Sequence, residues 1–225
     1  MVKDLAVIIP IAPGDNAWMH LITDFSIFPK EVEIIFVGPR APTEKLPPRI
    51  KWVTSKLGRG HQLNIGAGAT NKKYLWFLHS DSQLPIDALD NLEYAFHVNP
   101  SAIYYFNLAF SQDGPSLMFI NSLGVWFRSH FLKLPYGDQG FCVRRGVFSR
   151  LGGFRENLPY GEDHDFIWQA HLANIPVRCT GSWIRTSARK YQQNGWSRQT
   201  LKHLQLGAKQ AVPNFFKLLR TRVMA

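Results

Sequence analysis

The chain has 225 residues, 45% of them hydrophobic and 13% aromatic, which is enough to bury the core of one sizeable domain. Its two cysteines, Cys142 and Cys179, form no CxxC pair and no zinc-like spacing, which argues against a disulfide framework and favours a reducing, cytoplasmic location. The net charge of +10 lies entirely after residue 165, where ten lysines and arginines stand without one acidic residue. The charge is therefore a local surface property and not a property of the fold.

In the first half of the chain, apolar runs alternate with helical patterns. Buried strands are predicted at 5–11, 32–37, 50–53 and 74–78. Helices are predicted at 17–28, at 58–70 and behind Pro85. Strands that alternate with helices indicate an α/β domain whose sheet is mainly parallel and flanked by helices.

The second half of the chain is more mixed. It predicts strands at 102–110, 140–144 and 177–179, and helices at 115–132, at 162–173 and from about 195 onward. No stretch approaches the roughly 18 apolar residues that a membrane span requires. We predict one domain over residues 1–192, followed by a basic amphipathic helical tail over 193–225.

A glycine-rich segment at 58–68 opens one of the predicted helices. It does not follow the first strand, as a dinucleotide fingerprint would, and it lacks the GK[ST] ending of a P-loop. Two interpretations remain open. Its small residues pack a helix tightly on the sheet, or Arg59 at the helix start binds a nucleotide base or phosphate.

His79-Ser80-Asp81 directly follows the buried strand at 74–78. The carboxyl edge of an open α/β sheet is where ligands bind. Asp81 and His79 are therefore candidate ligands for Mn²⁺ or Mg²⁺, because such ions take few protein ligands and complete their shell with phosphate oxygens. The alternative is a capped strand end with a hydrogen-bonded histidine.

Glu162-Asp163-His164-Asp165 begins a predicted helix. Acidic residues are favoured there by the helix dipole alone. A carboxylate at this position can also take a proton from a hydroxyl group, and Asp163 is the candidate base. Gly137-Asp138-Gln139 is either a simple turn or part of an acceptor site.

The order of these segments resembles that of an inverting family 2 glycosyltransferase of the GT-A fold. The resemblance covers about residues 5–192. It depends on Ile9-Pro10, the segment 58–66, the acidic motif at 79–81, LGGF at 151–154 and the predicted helix that begins with Glu162-Asp163. The motif at 79–81, together with 135–139 and 187–189, is similar to a small bacterial subgroup linked to arsenosugar biosynthesis.

The resemblance implies transfer of a sugar from a nucleotide-diphosphate donor, with UDP-sugar expected, to a small-molecule or lipid-linked hydroxyl, with a divalent metal as cofactor. It implies a nucleotide site of Pro10, Ile11, Arg59, Asp81 and Arg189. It implies metal binding by Asp81 and His79, acceptor binding by Asp138, Gln139 and Glu162, and Asp163 as base. Arg189 or Lys190 would also stabilise the departing diphosphate.

This sequence departs from the family pattern at two points. Val37-Gly38-Pro39-Arg40 replaces the Asp-Gly-Ser motif that contacts the base or ribose in many members, so the base identity stays open. A histidine, His79, also occupies the first position of the usual DxD motif. Two other functions are nucleotide-sugar binding without transfer, and nucleotidyl transfer. The latter should carry a glycine-rich phosphate loop after the first strand, which 11–15 lacks.

The predicted tail combines cations with leucines and phenylalanines over 199–225. Such a segment suits peripheral binding to an anionic membrane, near a lipid-linked acceptor. It equally suits an ordinary helix that buries its apolar side on the domain. A pI of about 9.8 also raises nucleic-acid binding, but the chain contains no recognisable module for it, so we expect no nucleic-acid partner.

Overall fold

A seven-stranded sheet forms the centre of the protein in the computed structural model, which describes residues 1–223. In chain order the strands are β1 (Leu5–Pro10), β2 (Glu33–Gly38), β3 (Ile50–Thr54), β4 (Tyr74–Phe77), β5 (Ile103–Phe110), β6 (Phe141–Arg144) and β7 (Val177–Thr186). Across the sheet their order is β3-β2-β1-β4-β6-β5-β7. Strand β6 runs antiparallel to β4 and β5, whereas the other strands pair in parallel. The predicted mixed, mainly parallel sheet is confirmed.

Helices cover both faces of the sheet. In chain order they are α1 (Met19–Ser26), α2 (Arg59–Gly68), α3 (Ala88–Val98), α4 (Met118–His130), α5 (Arg145–Arg150), α6 (Glu162–Leu172), α7 (Arg189–Asn194) and α8 (Trp196–Val223). One apolar layer joins the sheet to α1 and α3, and the other joins it to α2, α5 and α6. This two-sided burial explains why the strands are continuous apolar runs and not alternating patterns.

Strand β4 shows how neighbouring residues supply the two layers. The ring of Trp76 stacks on that of Phe106 at a centroid distance of 5.3 Å in the first layer. The next residue, Phe77, points to the opposite face and packs against Phe148 and Phe154 at 5.1 and 4.9 Å. Both faces of β4 are therefore filled by aromatic side chains, and this fixes the position of the segment that follows the strand.

Three elements, β7 and the short helices α5 and α7, differ from the sequence prediction. Strand β7 was predicted to end at Cys179 but continues to Thr186, because it pairs with β5 on both sides of a register shift between Tyr105 and Asn107. The polar residues of its middle hide this continuation from a hydropathy pattern. Helices α5 and α7 were not predicted at all, since the six residues of each are too few for a visible helical period.

The predicted tail forms the single long helix α8, which contacts α6 and α7. Residues 224 and 225 of that prediction lie outside the described residues. The boundary at 192/193 stays a prediction. Within residues 1–223, no helix combines the length and the apolar character needed to cross a membrane.

Gly66 lets α2 approach the sheet closely. A Cβ atom added there would collide with Ile8 Cγ2 and lie 3.0 Å from Val37 Cγ2. Gly66→Ala is expected to lower the free energy of unfolding by about 1–3 kcal/mol through overpacking. Gly68→Ala, two residues later in the same helix and with open space around it, is the matched control and should be neutral or slightly stabilising. Urea denaturation of both variants measures the difference, and equal stabilities would contradict the close approach.

Candidate active site

Strand ends and helix starts bring five polar segments to one edge of the sheet. His79 to Asp81 follow the carboxyl end of β4, and Asp15 follows that of β1. Because β6 runs antiparallel to β4, the residues before β6, including Asp138, arrive at this same edge. The starts of α2 and α6 add Arg59 and Asp163. Residues that are far apart in the chain are thus neighbours here, as expected of a ligand site in an open α/β sheet.

Asp163 is buried and held by three hydrogen bonds. Its Oδ2 accepts from Arg59 Nη2 and from the backbone N–H of Gly137, both at 2.7 Å, and its Oδ1 accepts from the N–H of His164 at 2.8 Å. Burial alone would raise the pKa of Asp163, but the charge of Arg59 and the N–H group of Gly137 hold it well below its ordinary value. Asp163 is therefore a fixed carboxylate at neutral pH.

Arg59 binds both acidic residues at the start of α6. Besides its bond to Asp163, its Nε lies 2.6 Å from Glu162 Oε1, an ion pair without hydrogen-bond alignment. The Arg59 side chain is 36% exposed, whereas both carboxylates are nearly buried. In this structure Arg59 organises the acidic pair, and its predicted contact with a nucleotide stays a prediction.

His79 offers an unused nitrogen at the site. Its Nε2 is buried and has no hydrogen-bond partner. Burial, and after it the charge of Arg59, lowers the pKa of His79 to about 3, so the imidazole is neutral and keeps a free lone pair. For the carboxyl group of Asp81 burial has the opposite effect and raises the pKa, although the positive charges of Lys190 and Arg189 act to lower it.

His79 and Asp81 fit a divalent cation only in part. An imidazole nitrogen and a carboxylate are suitable donors for Mn²⁺. However, no group of three His, Cys, Asp or Glu side chains within residues 1–223 comes close enough to hold a metal ion alone. A cation here needs further oxygen ligands from a bound molecule, as Mn²⁺ and Mg²⁺ commonly do.

Asp15 is a site residue that the sequence prediction missed. Its Oδ2 accepts a hydrogen bond from Ser80 Oγ at 2.5 Å, and its Oδ1 accepts from the N–H of Ala17 at 3.0 Å and lies 3.8 Å from Arg189 Nη2. It thereby links the segment after β4 to the start of α7. The available signal was its position in the Pro-Gly-Asp-Asn turn directly after β1.

The three predicted acceptor residues have different surroundings. Glu162 faces Arg59, and Asp138 has a buried Oδ1 with no partner. Burial raises the pKa of Asp138 to about 6, against the charge of Arg128 and with the help of Asp163. Asp138 therefore remains a candidate for contact with an acceptor.

Gln139 points inward and is 1% exposed. Its amide donates to the carbonyl of Phe106 at 2.9 Å, and its oxygen accepts from Ser129 Oγ at 2.8 Å and from the N–H of Tyr136 at 3.2 Å. These bonds make Gln139 the internal support of the 137–139 turn. We therefore withdraw it from the predicted acceptor site.

Pro10 and Ile11 lie where β1 ends. The Ile11 side chain is buried, its N–H donates to the Val37 carbonyl at 2.7 Å, and its own carbonyl accepts from Gln62 Nε2 at 2.9 Å. Ile11 thus ties β1 to β2 from inside the core and offers no side chain to a ligand. Pro10 is partly exposed and stays the predicted wall of a nucleotide pocket.

Helix α8 supports the start of α6. Gln210 Nε2 donates to the carbonyl of Tyr160 at 2.9 Å, next to Gly161, whose φ of 70° is left-handed. Gln210 Oε1 lies 3.0 Å from His164 Nδ1, and His164 Nε2 accepts from Trp168 Nε1 at 3.0 Å. These contacts assign the proton of His164 to Nδ1. The predicted tail therefore buttresses the residue next to Asp163.

Comparison with known proteins identifies the fold through solved structures. Neither a protein-family model nor a curated protein sequence matches the chain. A mannosyltransferase from Pyrobaculum calidifontis, solved with GDP-Man and Mn²⁺, is similar with a TM-score of 0.71 and 16% identity over 97% of this chain and 68% of that one. S. aureus TarS 1-349 has a TM-score of 0.61 and 18% identity over 82% of this chain.

TarS 1-349 has also been solved with UDP-GlcNAc, and that complex has a TM-score of 0.60 with 19% identity. This chain spans only 60% of the length of TarS 1-349. At such low identities the likeness concerns the fold. The edge that gathers Asp81, Asp138 and Asp163 therefore belongs to a chain with the GT-A fold of glycosyltransferases.

Proposed function

We propose that this protein is an inverting glycosyltransferase that moves a sugar from a nucleotide-diphosphate donor to an acceptor hydroxyl group. The observation that carries the proposal is the meeting of His79 and Asp81 with Asp163 at one edge of a GT-A sheet. His79 and Asp163 are close enough for each to shift the pKa of the other. The proposed donor-binding residues, His79 and Asp81, are thus next to the proposed proton acceptor, Asp163.

Asp163 is the proposed base. It is ionised at neutral pH, and its three hydrogen bonds fix its direction, so it can receive the proton of an acceptor hydroxyl held between it and Asp138. The oxygen of that hydroxyl forms a bond to the anomeric carbon while the bond from this carbon to the diphosphate breaks. A single displacement from the opposite face inverts the configuration.

The low pKa of Asp163 makes it a weak base. Proton transfer is therefore expected late, when the new bond to the anomeric carbon has made the hydroxyl acidic. The raised pKa of Asp138, about 6, makes that residue the rival base in the same cluster. Separate variants of the two residues distinguish these roles.

Arg189 and Lys190 are placed to bind the departing diphosphate. Both lie at the start of α7, and their charges act on Asp81. Cations preorganised where negative charge develops stabilise the transition state. Mn²⁺ or Mg²⁺, held by Asp81 and His79 together with the phosphate oxygens, would supply further neutralisation of that charge.

UDP-sugars are the proposed donors, and a GDP-sugar is the alternative. The structures of TarS with UDP-GlcNAc and of the mannosyltransferase with GDP-Man support one choice each. The proposed assignment to family 2, and to its arsenosugar-linked subgroup, depends on the motif resemblance. The Val37-Gly38-Pro39-Arg40 segment leaves the base specificity to experiment.

Calorimetric titration with UDP and with GDP, each with and without Mn²⁺, tests the donor site. We expect UDP to bind at micromolar affinity in the presence of Mn²⁺ and far more weakly without it. Asp81→Ala should lose this metal-dependent gain. Asp90→Ala, an exposed carboxylate on α3, is the matched control and should retain it.

Failure of both nucleotides to bind would contradict the proposal. Binding of a nucleotide sugar without transfer to any acceptor would instead favour a binding protein. Release of pyrophosphate from UTP and a sugar phosphate would indicate a nucleotidylyltransferase.

A further inference from the structure

Helix α4 turns an apolar face to the solvent. Its inner side packs on β5, where the Ser129 carbonyl accepts a hydrogen bond from Tyr105 Oη at 2.7 Å. Its outer side, extended by Phe131 at the helix end, forms what we call the α4 aromatic face: the exposed residues Phe119, Ile120, Leu123, Trp126, Phe127 and Phe131. Phe119 is 67% exposed and Leu123 is 64% exposed. Contiguous apolar patches of this kind mark interaction surfaces.

Helix α8, whose first turns contact α4, carries a second exposed apolar stripe. Its members recur every three or four residues, or at multiples of that spacing, so they lie along one side of the helix: Leu201, Leu204, Val212, Phe215 and Leu219. Asn121 on α4 joins the two helices, because its Oδ1 accepts from Trp196 Nε1 at 2.6 Å and its Nδ2 donates to Thr200 Oγ1 at 3.1 Å. The two apolar surfaces thus belong to adjoining helices.

The charged side chains that α4 and α8 themselves carry are all cationic. No acidic residue occurs between Asp113 and Asp138 or after Asp165. The cations there include Arg128 on α4, Lys133 just after it, and six residues on α8: Arg198, Lys202, Lys209, Lys217, Arg220 and Arg222. A second copy docked on this surface would set cations against cations. Apolar side chains flanked by cations instead complement a lipid surface with anionic headgroups.

We propose that the α4 aromatic face inserts into the interface of an anionic phospholipid bilayer while the cations of α8 bind lipid headgroups. The bilayer then lies beside the acceptor side of the site, because Ser129 on α4 holds Gln139 and with it the turn that bonds to Asp163. Access to a lipid-borne acceptor follows from this placement and rests on the proposed function. Membrane binding itself requires no catalysis and is tested separately.

Flotation of the full-length protein with vesicles tests the surface. The protein is expected to float with vesicles of phosphatidylcholine and phosphatidylglycerol, and much less with phosphatidylcholine alone. Leu123→Glu should abolish flotation. Ile86→Glu adds the same charge at an 88% exposed apolar residue away from α4 and should leave it unchanged. Both positions are exposed, and matching circular dichroism spectra confirm that both variants fold.

Two further measurements separate the contributions of the helices. Lys202→Gln and Lys209→Gln should each lower partition to anionic vesicles about fivefold, as expected for roughly one kcal/mol per cation near such a surface. Brominated phospholipid should quench the tryptophan fluorescence of the wild type, and Trp126→Phe should lose most of that quenching.

Three results would overturn the inference. Failure of the wild type to float with anionic vesicles is the first, and flotation that survives Leu123→Glu is the second. The third is a wild-type dimer that Leu123→Glu dissociates while no vesicle binds, since this would assign the α4 aromatic face to a second copy of the chain. Unchanged UDP binding in Leu123→Glu keeps these outcomes independent of the donor site.

Discussion

Asp163→Asn is expected to lower the rate of sugar transfer by about 10²–10⁴-fold, the usual contribution of a general base. The amide is nearly the same size as the carboxylate, and its oxygen can still accept a hydrogen bond from the N–H of Gly137. The turn at 137–139 should therefore keep its shape. UDP affinity, measured by calorimetry, should remain because Asp163 does not hold the nucleotide in the proposed mechanism. Loss of UDP binding in this variant would contradict the assignment.

Two neighbouring carboxylates serve as comparisons for Asp163. Asp165 is buried in the same first turn of α6 and lies 3.3 Å from Arg155, so Asp165→Asn removes a similar charge without touching the proposed base. It should keep most of the activity. Asp138→Asn tests the rival: an inactive Asp138→Asn beside an active Asp163→Asn would transfer the role of base to Asp138.

Arg59→Ala is expected to lower the free energy of unfolding by about 2–4 kcal/mol at neutral pH. The substitution leaves two nearly buried carboxylates, Glu162 and Asp163, without their cation. Breaking a fully buried pair costs about 3–5 kcal/mol, and the partial exposure of Arg59 reduces this through solvent screening. Arg155→Ala, which removes a half-exposed partner of Asp165, is the control and should cost less.

The pH dependence of this effect has a defined sign. Arg59 helps to hold the pKa of Asp163 below its ordinary value, so the corresponding stability is present above about pH 4, the unfolded value. It is lost as the pH falls through the lower folded pKa. Denaturation of wild type and Arg59→Ala should therefore differ most at neutral pH and converge in acid. An equal difference at both pH values would contradict the pairing, and unchanged UDP affinity would contradict the predicted nucleotide contact.

The parallel part of the sheet was predictable because its signals are local. Runs such as 5–9 and 74–78 are apolar, rich in strand-forming residues and ended by polar or turn residues. Helix α4 shows the limit of such signals. Its composition predicts an apolar helix, but only packing against β5 decides that Ser129 is buried and that Phe119 faces solvent.

The candidate site was predictable only in part. Asp81 and Asp163 stand directly after a buried strand and at a helix start, where position along the chain is informative. Asp15 was missed, although it occupies an equivalent place after β1, because a single acid in a turn is common. Gln139 was misjudged, since a polar residue beside Asp138 gives no sign that it points into the core.

Local sequence patterns are enough to predict the order of the strands and the longer helices, the neutral first part and the cationic last part of the chain, and the segments that carry polar candidate residues. Short-range sterics, hydrophobic periodicity and composition set these features, and all are visible in neighbouring residues. Two long-range features appear only in the folded chain: Arg59 bonds to Asp163, 104 positions away, and the antiparallel β6 brings Asp138 to the sheet edge where Asp81 lies. Such pairings follow from the packing of the whole core, which no local pattern encodes.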